Sequence, residues 1–308
     1  MTGRSGGPPG KMGRESRMSG PARDQRTMDE LVRALGMGSW VVDIGAGPGS
    51  FDYASTRARV VSVDLAFPKQ RHVRALGVTA PAERLPIRTA IADVVVCNHS
   101  LEHFPDPKSA LGEVDRVLKP GGFCWIAVPD GYSLDDRLYR FLFAGGGHLS
   151  RFSVESFLRA VQEATELNLV SFKDLFSGFV YLAPPNPERL KYFPQPARTM
   201  FSLAPARGLL FLARWLAHLT RSADRLFGSH MSRYGWGFVL QKGPVSGELR
   251  HLPNYVNVCV GCGAGHPAAA LVTERERLGW APSYRCPLCG VRNIYFEAPT
   301  RATVSEGE

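Results

Sequence analysis

Two cysteine pairs, Cys259-Val260-Gly261-Cys262 and Cys286-Pro287-Leu288-Cys289, have the spacing at which one tight turn offers two thiolates to one metal ion. Two such knuckles close the four positions of a tetrahedral zinc site, and a site closed by four thiolates is structural, because no position is left for substrate. The spacer Gly263 to Arg285 is slightly longer than in the usual two-knuckle pattern. His251 and His266 are the substitutes should one cysteine not serve. A second group is Asp43-Ile44-Gly45-Ala46-Gly47-Pro48-Gly49, where an apolar run ends in an acid and breaks into alternating glycines. That pattern reads as a buried strand followed by a loop that a ligand approaches closely. A helix over Ser50 to Ser55 would aim its free N–H groups into the same crevice. Roughly twenty residues later Asp64 ends a second apolar run, where a carboxylate can take ribose hydroxyls. A nicotinamide fingerprint would need its third glycine at Ser50, so that match is imperfect. Finally, His99, His103 and His148 lie at a strand end or in the loops beside it, and an imidazole is the side chain suited to accept a proton near neutral pH.

The elements that must position these groups alternate. Thr27-Met28-Asp29-Glu30 is a capping-box pattern that opens a short helix through Leu35. Apolar strands are expected at Trp40–Ile44, Val60–Asp64, Ala92–Cys97 and Phe123–Val128, with a helix over Ser109–Leu118 between the last two. Alternation of strand and helix implies an α/β fold, a doubly wound, mostly parallel sheet covered on both faces. Ligands bind such sheets at the carboxyl ends of the strands, where Asp43, Asp64, Asn98 and Pro129 all fall. Beyond Pro129, Gly145-Gly146-Gly147 precedes His148, and the glycines suggest a hinge or a close backbone approach. A helix then runs from Ser153 to about Leu167. Two more strands are expected at Leu169–Phe172 and Gly235–Gln241.

Five segments in order resemble class I S-adenosylmethionine-dependent methyltransferases of the small-substrate "type 11" kind. They are Asp43 to Gly49, Asp64, Ala82-Glu83-Arg84-Leu85-Pro86-Ile87, Asp93 to His103, and Glu113-Val114-Asp115-Arg116-Val117-Leu118-Lys119-Pro120-Gly121-Gly122. The resemblance covers Thr27 to roughly Pro129. It implies a Rossmann-like methyltransferase fold with an antiparallel final strand pair, and S-adenosylmethionine as cofactor. The implied cofactor contacts are Asp43, Gly45, Ala46, Gly47, Gly49, Asp64, Leu65, Ala82, Glu83, Asn98 and His99. Pro81 stands where the family commonly carries an adenine-binding Asp, which leaves adenine to the backbone near Ala82. His103 and His148 are the candidate catalytic residues, as general bases toward the acceptor.

Organisation follows from composition. Residues 1–26 read as a disordered basic tail, 27–243 as the methyltransferase domain, 244–254 as a linker, 255–298 as a small C-terminal zinc ribbon and 299–308 as a tail. An insertion, about 184–233, carries Arg207, Arg214, His218, Arg221 and Arg225 on one helical face and Leu209, Leu212, Leu216, Leu219, Ala223 and Leu226 on another. With a net charge of +9 over 308 residues, the chain favours an anionic partner, and the basic segments could meet RNA or an anionic membrane surface. Four of the six cysteines sit in the two pairs, which fits a reducing compartment; Cys97 and Cys124 fall in core strands as packed thiols. No signal peptide or transmembrane helix is expected, and the expected location is the cytoplasm, with a peripheral position at the membrane as the alternative. The expected acceptor is a small molecule, lipid or saccharide. An RNA or protein methyltransferase, docking through the ribbon, is the first alternative, and a non-catalytic interaction protein the second.

Overall fold

The computed structural model describes residues 27–67, 74–176, 179–183, 190, 193–244, 255–262, 264–267, 271, 275–278 and 281–296. The N-terminal tail, the linker after Pro244, His251, Gly263 and the C-terminal tail lie outside them. Helix α1 (Met28–Arg33) opens on the expected capping box, with Thr27 and Glu30 bonded reciprocally. The parallel core is β1 (Trp40–Ile44), β2 (Arg59–Asp64), β3 (Ala75–Thr79), β4 (Ala92–Asn98) and β5 (Leu118–Pro129). Helix α2 (Pro107–Val117) leads into β5, and α3 (Leu134–Leu142) and α4 (Val154–Ala164) follow it. Then come β6 (Leu167–Phe176), α5 (Ala197–Leu203), α6 (Ala206–Phe227) and β7 (Arg233–Lys242). The C-terminal strands are β8 (Tyr255–Val258), β9 (Gly265–Pro267), β10 (Arg275–Leu278), β11 (Ala281–Arg285) and β12 (Arg292–Ile294).

One nine-stranded sheet runs β3-β2-β1-β4-β5-β7-β6-β8-β9, and β10-β11-β12 form a second, three-stranded sheet. Strand β7 is antiparallel to both β5 and β6, as the family resemblance implied. The order reverses between β1 and β4, so the crevice over their carboxyl ends is the expected ligand position. Alternate strand residues feed two cores. Val42, Ile44, Val61 and Val95 pack with Leu111, Val114, Phe157 and Val161 of α2 and α4. Val41, Val60, Val94 and Val96 pack with Leu31 and Val32 of α1, and with Val256 and Val258 of β8.

Two expectations are corrected. Ser50 to Ser55 is not a helix; it holds one 3-10 turn, Tyr53–Ser55, because Asp43 takes the Ser50 N–H and Asp52 caps Ala54. The C-terminal cysteine segment is joined to the main sheet. Strand β8 pairs in parallel with β6, and Val260, Ile294 and Phe296 share an apolar core with Leu209, Ala213 and Ala217 of α6. The faces of α6 also differ: Leu209, Ala213, Ala217, Thr220 and Arg221 are buried, whereas Leu212, Leu219 and Leu226 are exposed. The Arg221 guanidinium sits 5.4 Å from the Phe296 ring centroid, which takes it off the expected solvated basic face.

Candidate active site

The glycine loop is held open by its acid. Asp43, fully buried at the end of β1, accepts from Ser50 N (3.0 Å), Ser50 Oγ (2.7 Å) and Tyr53 OH (2.7 Å). Burial pushes its carboxyl up, against the pull of those hydrogen bonds. Gly45 has φ +66, and a Cβ there would lie 2.4 Å from Ser100 Cβ, so no other residue fits. Ser100 Oγ donates to Ile44 O (2.9 Å), which fastens the loop after β4 against the loop after β1. At the end of β2, Asp64 Oδ2 accepts from Gly47 N (2.8 Å) and Oδ1 from Ala66 N (3.0 Å). Each oxygen has further accepting capacity, which a pair of vicinal hydroxyls requires.

Over these ends lies a crevice of about 550 Å³. Gly45 to Gly49, Asn98 and His99 form one wall, and Cys262, Ala264, Gly265 and Leu288 of the cysteine segment form the other. Asp64, Leu65, Ala82 and Glu83 do not line this crevice. Leu65 is exposed, Ala82 is buried, and Glu83 Oε1 accepts from Asp106 N at 3.3 Å. The segment 82–87 is fastened instead through Arg116, which donates to Leu85 O and Ile87 O, and Glu113, which accepts from Leu85 N.

A second cavity, about 380 Å³, adjoins the crevice, and His99, Tyr234 and Val258 line both. His99 adopts φ +53, uncommon for a side-chain-bearing residue, and its ring stacks on Tyr234 with Nε2 and the phenol oxygen 3.1 Å apart. Burial, then the neighbouring His148 and His103, lower His99 to about 4, so it is neutral near pH 7 and a weak base. The other two histidines face each other inside the cavity, with ring centroids 4.8 Å apart. His103 Nδ1 donates to Gly147 O (3.0 Å), and His148 Nδ1 to Asp136 Oδ1 (2.7 Å). Arg140 Nε donates to the other Asp136 oxygen, and its guanidinium also holds His148 O and Ser150 O. Burial raises the Asp136 carboxyl, but hydrogen bonds from His148 and Arg140 outweigh it and hold the group below its ordinary value. Gly146 makes the close approach its sequence suggested, because a Cβ there would lie 2.1 Å from Tyr139 Cε1.

Sequence reasoning brought His103 and His148 forward and missed their acid. Glu102, 1% exposed, points its carboxylate at both imidazoles, 3.9 Å from each Nε2. Burial lifts it to about 8. The signal was its place beside His103 at the end of the fourth parallel strand. Tyr139, Tyr181, Phe179 and Tyr234, also missed, supply aromatic walls.

The four thiols of Cys259, Cys262, Cys286 and Cys289 converge within 4.8 Å of one another. Cys259 and Cys289 sulfurs are 3.5 Å apart and those of Cys262 and Cys286 3.7 Å, close to the ~3.8 Å edge of a tetrahedron built on zinc–sulfur bonds of about 2.3 Å. Gly261 N and Asn293 Nδ2 donate to Cys259 Sγ. His266 Nε2 lies 3.3 Å from Cys286 Sγ, as a neighbour of the sulfur cluster rather than a member of it. Cys97 and Cys124 are buried thiols, and burial pushes Cys97 to about 12.

Residues 42–126 match the family described as "Methyltransferase domain". They are a class I S-adenosylmethionine-dependent methyltransferase domain. Curated relatives of this methyltransferase domain include a "Ubiquinone biosynthesis O-methyltransferase" of Paracidovorax citrulli, 35% identical over 30% of this chain and 44% of the relative. Another of that name, from Methylococcus capsulatus, is 34% identical over 28% of this chain and 41% of the relative. The matches thus span less than half the length of these relatives. Among solved structures, the chain is similar to the Haloferax volcanii complex of the Trm112 methyltransferase activator with a putative methyltransferase. That similarity has 18% identity and a TM-score of 0.44 over 69% of this chain and 85% of that one. Among the described residues, no helix is long and apolar enough to cross a membrane.

Proposed function

We propose that the chain transfers the methyl group of S-adenosylmethionine to a hydroxyl of a small aromatic or lipid-like acceptor. The observation that carries this reading is the pair of adjoining cavities, one walled by the glycine loop, the other aromatic and histidine-lined, meeting at His99 and Tyr234. A volume of about 380 Å³ suits a small molecule and not a folded macromolecule. The relatives named as O-methyltransferases support oxygen as the acceptor atom. The cofactor supplies a methyl group activated on a sulfonium. Asp64 takes the ribose hydroxyls, the backbone from Gly45 to Gly49 accepts the close approach, and Asn98 and His99 border the methyl-bearing end. The aromatic walls fix the acceptor for in-line approach, which by itself can contribute much of the rate. The acceptor proton leaves toward His103 and His148, whose Nε2 lone pairs face the cavity. We also propose zinc at the four thiolates, where it fixes the crevice wall.

A lipid acceptor is favoured by one further feature. Phe211, Leu212, Trp215 and Leu219 form an exposed apolar stripe on α6, with Arg207 and Arg225 exposed beside it. That is the amphipathic pattern of a helix lying on an anionic interface. Flotation with anionic vesicles tests it, and failure to float at low salt ends it.

The test of the main reading is a screen with labelled methyl donor against small phenols, polar lipids and the RNA and protein of a cell extract. Label in the small-molecule or lipid fraction, lost in an Asp64→Ala control, is expected. Label confined to RNA or protein would overturn the small-acceptor reading, and failure to bind S-adenosylhomocysteine at all would leave a non-catalytic protein.

A further inference from the structure

We propose that Glu102, His103 and His148 form a binding site for a divalent transition-metal cation within the acceptor cavity, where the ion holds and acidifies the acceptor hydroxyl. This rests on the reading that the cavity receives a small hydroxyl compound.

The argument starts from proton positions. Gly147 O can only accept, so His103 Nδ1 carries a hydrogen. Asp136 already accepts from Arg140, so His148 Nδ1 carries one too. In each neutral ring the Nε2 lone pair is then left to face the cavity. Both lone pairs converge on Glu102, whose Oε1 is 3.9 Å from each. Its Oε2 is buried without a hydrogen-bond partner among the described residues. Two imidazole nitrogens and a carboxyl oxygen thus lie within 4.8 Å of one another, a donor set that one cation can bridge.

The supporting bonds are those of a metal site. Histidines that ligate a metal almost always donate the other ring N–H to a carbonyl or carboxylate, which fixes the tautomer and raises basicity. Both partners are present here, in Gly147 O and Asp136. The 3.9 Å separations are about 0.5 Å wider than the ~3.4 Å edge of a tetrahedral site with bonds near 2.1 Å. His103, with 38% of its side chain exposed, has room to close that gap. Two imidazoles and one carboxylate suit Zn²⁺, Fe²⁺, Co²⁺ or Mn²⁺ rather than Mg²⁺, which prefers an all-oxygen shell. Three protein ligands leave open positions toward the cavity.

With the ion bound, the two Nε2 lone pairs are taken as ligands and no longer serve as proton acceptors; the acceptor hydroxyl instead loses its proton to solvent water, because the cation lowers its pKa. The oxygen lone pair then forms the new bond to the methyl carbon. The electron pair of the breaking carbon–sulfur bond returns to sulfur, leaving a neutral thioether and a methylated oxygen.

The experiment uses Zn²⁺ as the probe on the full chain. Wild type, Glu102→Gln and His148→Asn are equilibrated with Zn²⁺, desalted and analysed for metal. Each is also titrated with S-adenosylhomocysteine. Wild type is expected to retain one more equivalent of zinc than either variant, with affinity for that equivalent reduced at least about tenfold by loss of a ligand. Glu102→Gln keeps the shape of the side chain, so it remains informative if His148→Asn does not fold. Equal zinc in wild type and Glu102→Gln would overturn the site. Absence of homocysteine-analogue binding with the zinc difference intact would instead overturn the methyltransferase reading and leave the metal site standing.

Discussion

Asp64, bonded to the glycine loop beside the crevice, offers the sharpest test of the proposed cofactor site. It is half-buried, and its two oxygens each accept one loop amide, from Gly47 at 2.8 Å and Ala66 at 3.0 Å. A bound ribose would add one hydroxyl to each oxygen. A hydrogen bond to a charged group contributes about 1.5–3 kcal/mol. Two such bonds are lost in Asp64→Ala, but the ribose hydroxyls at this open rim regain water, so the net loss should be about 3 kcal/mol. At 1.4 kcal/mol per tenfold, S-adenosylhomocysteine should bind about 100-fold more weakly. Asp64→Asn keeps one acceptor oxygen and should lose about tenfold. The assay is calorimetric titration of zinc-loaded protein, with thermal denaturation run in parallel to show that each variant remains folded. Folded Asp64→Ala that binds within about threefold of wild type, under 1 kcal/mol, would refute the assignment of the ribose to this carboxylate.

Two further outcomes follow from the same geometry. Glu113, held below the ordinary carboxylate range by its bonds from Arg116, adds stability above its unfolded pKa that is lost as pH falls through the folded one. Glu113→Gln should therefore be less stable than wild type by about 1 kcal/mol at pH 7, and urea denaturation should show the two converging in acid. Removal of metal with a chelator should weaken S-adenosylhomocysteine binding as well as lower the melting temperature, since Cys262, Ala264, Gly265 and Leu288 wall the crevice. Unchanged binding by chelated, metal-free protein would show that the thiolate segment plays no part in the cofactor site.

Strands β1, β2, β4 and β5 were legible because each is an apolar run stopped by an acid, a glycine, an asparagine or a proline, and burial on both faces demands that composition. Strand β3 was missed because Ala75–Thr79 is an edge strand, partly exposed along its length, with little hydrophobic signal. Helix α6 was legible as a helix and misread as to its faces. Its leucine spacing suggested a leucine-lined face, whereas Ala213 and Ala217 meet the C-terminal segment and Leu212, Leu219 and Leu226 stay exposed. Small residues permit close approach without raising hydrophobicity, so periodicity alone ranks them low. The pairing of β8 with β6 joins residues about eighty positions apart through backbone bonds, and nothing in either segment marks the other. In the site, the glycine loop, Asp64 and the cysteines declare themselves by type and spacing. Glu102 does not, because an acid beside a histidine is common on surfaces, and only burial against two Nε2 atoms distinguishes this one.

The position of Val258 ties these parts into one device. It is the last residue of β8, it lines both cavities, and the next residue is the thiolate ligand candidate Cys259. Cys259 N donates to Ala264 O at 2.9 Å, so the first knuckle folds back and delivers Ala264 and Gly265 to the crevice. A metal that draws the four sulfurs together therefore fixes Val258 to Cys262, Ala264 and Gly265, and with them their share of the crevice lining. On the function proposed above, the knuckle serves as part of the crevice lining rather than as a separate docking module. The sheet makes that possible, since an added strand beside β6 places its end over the same carboxyl edge where Asp43 and Asp64 stand. Wall residues positioned by a strand and a metal are held more rigidly than a free loop would hold them, and rigid placement is what an in-line displacement between two bound molecules requires.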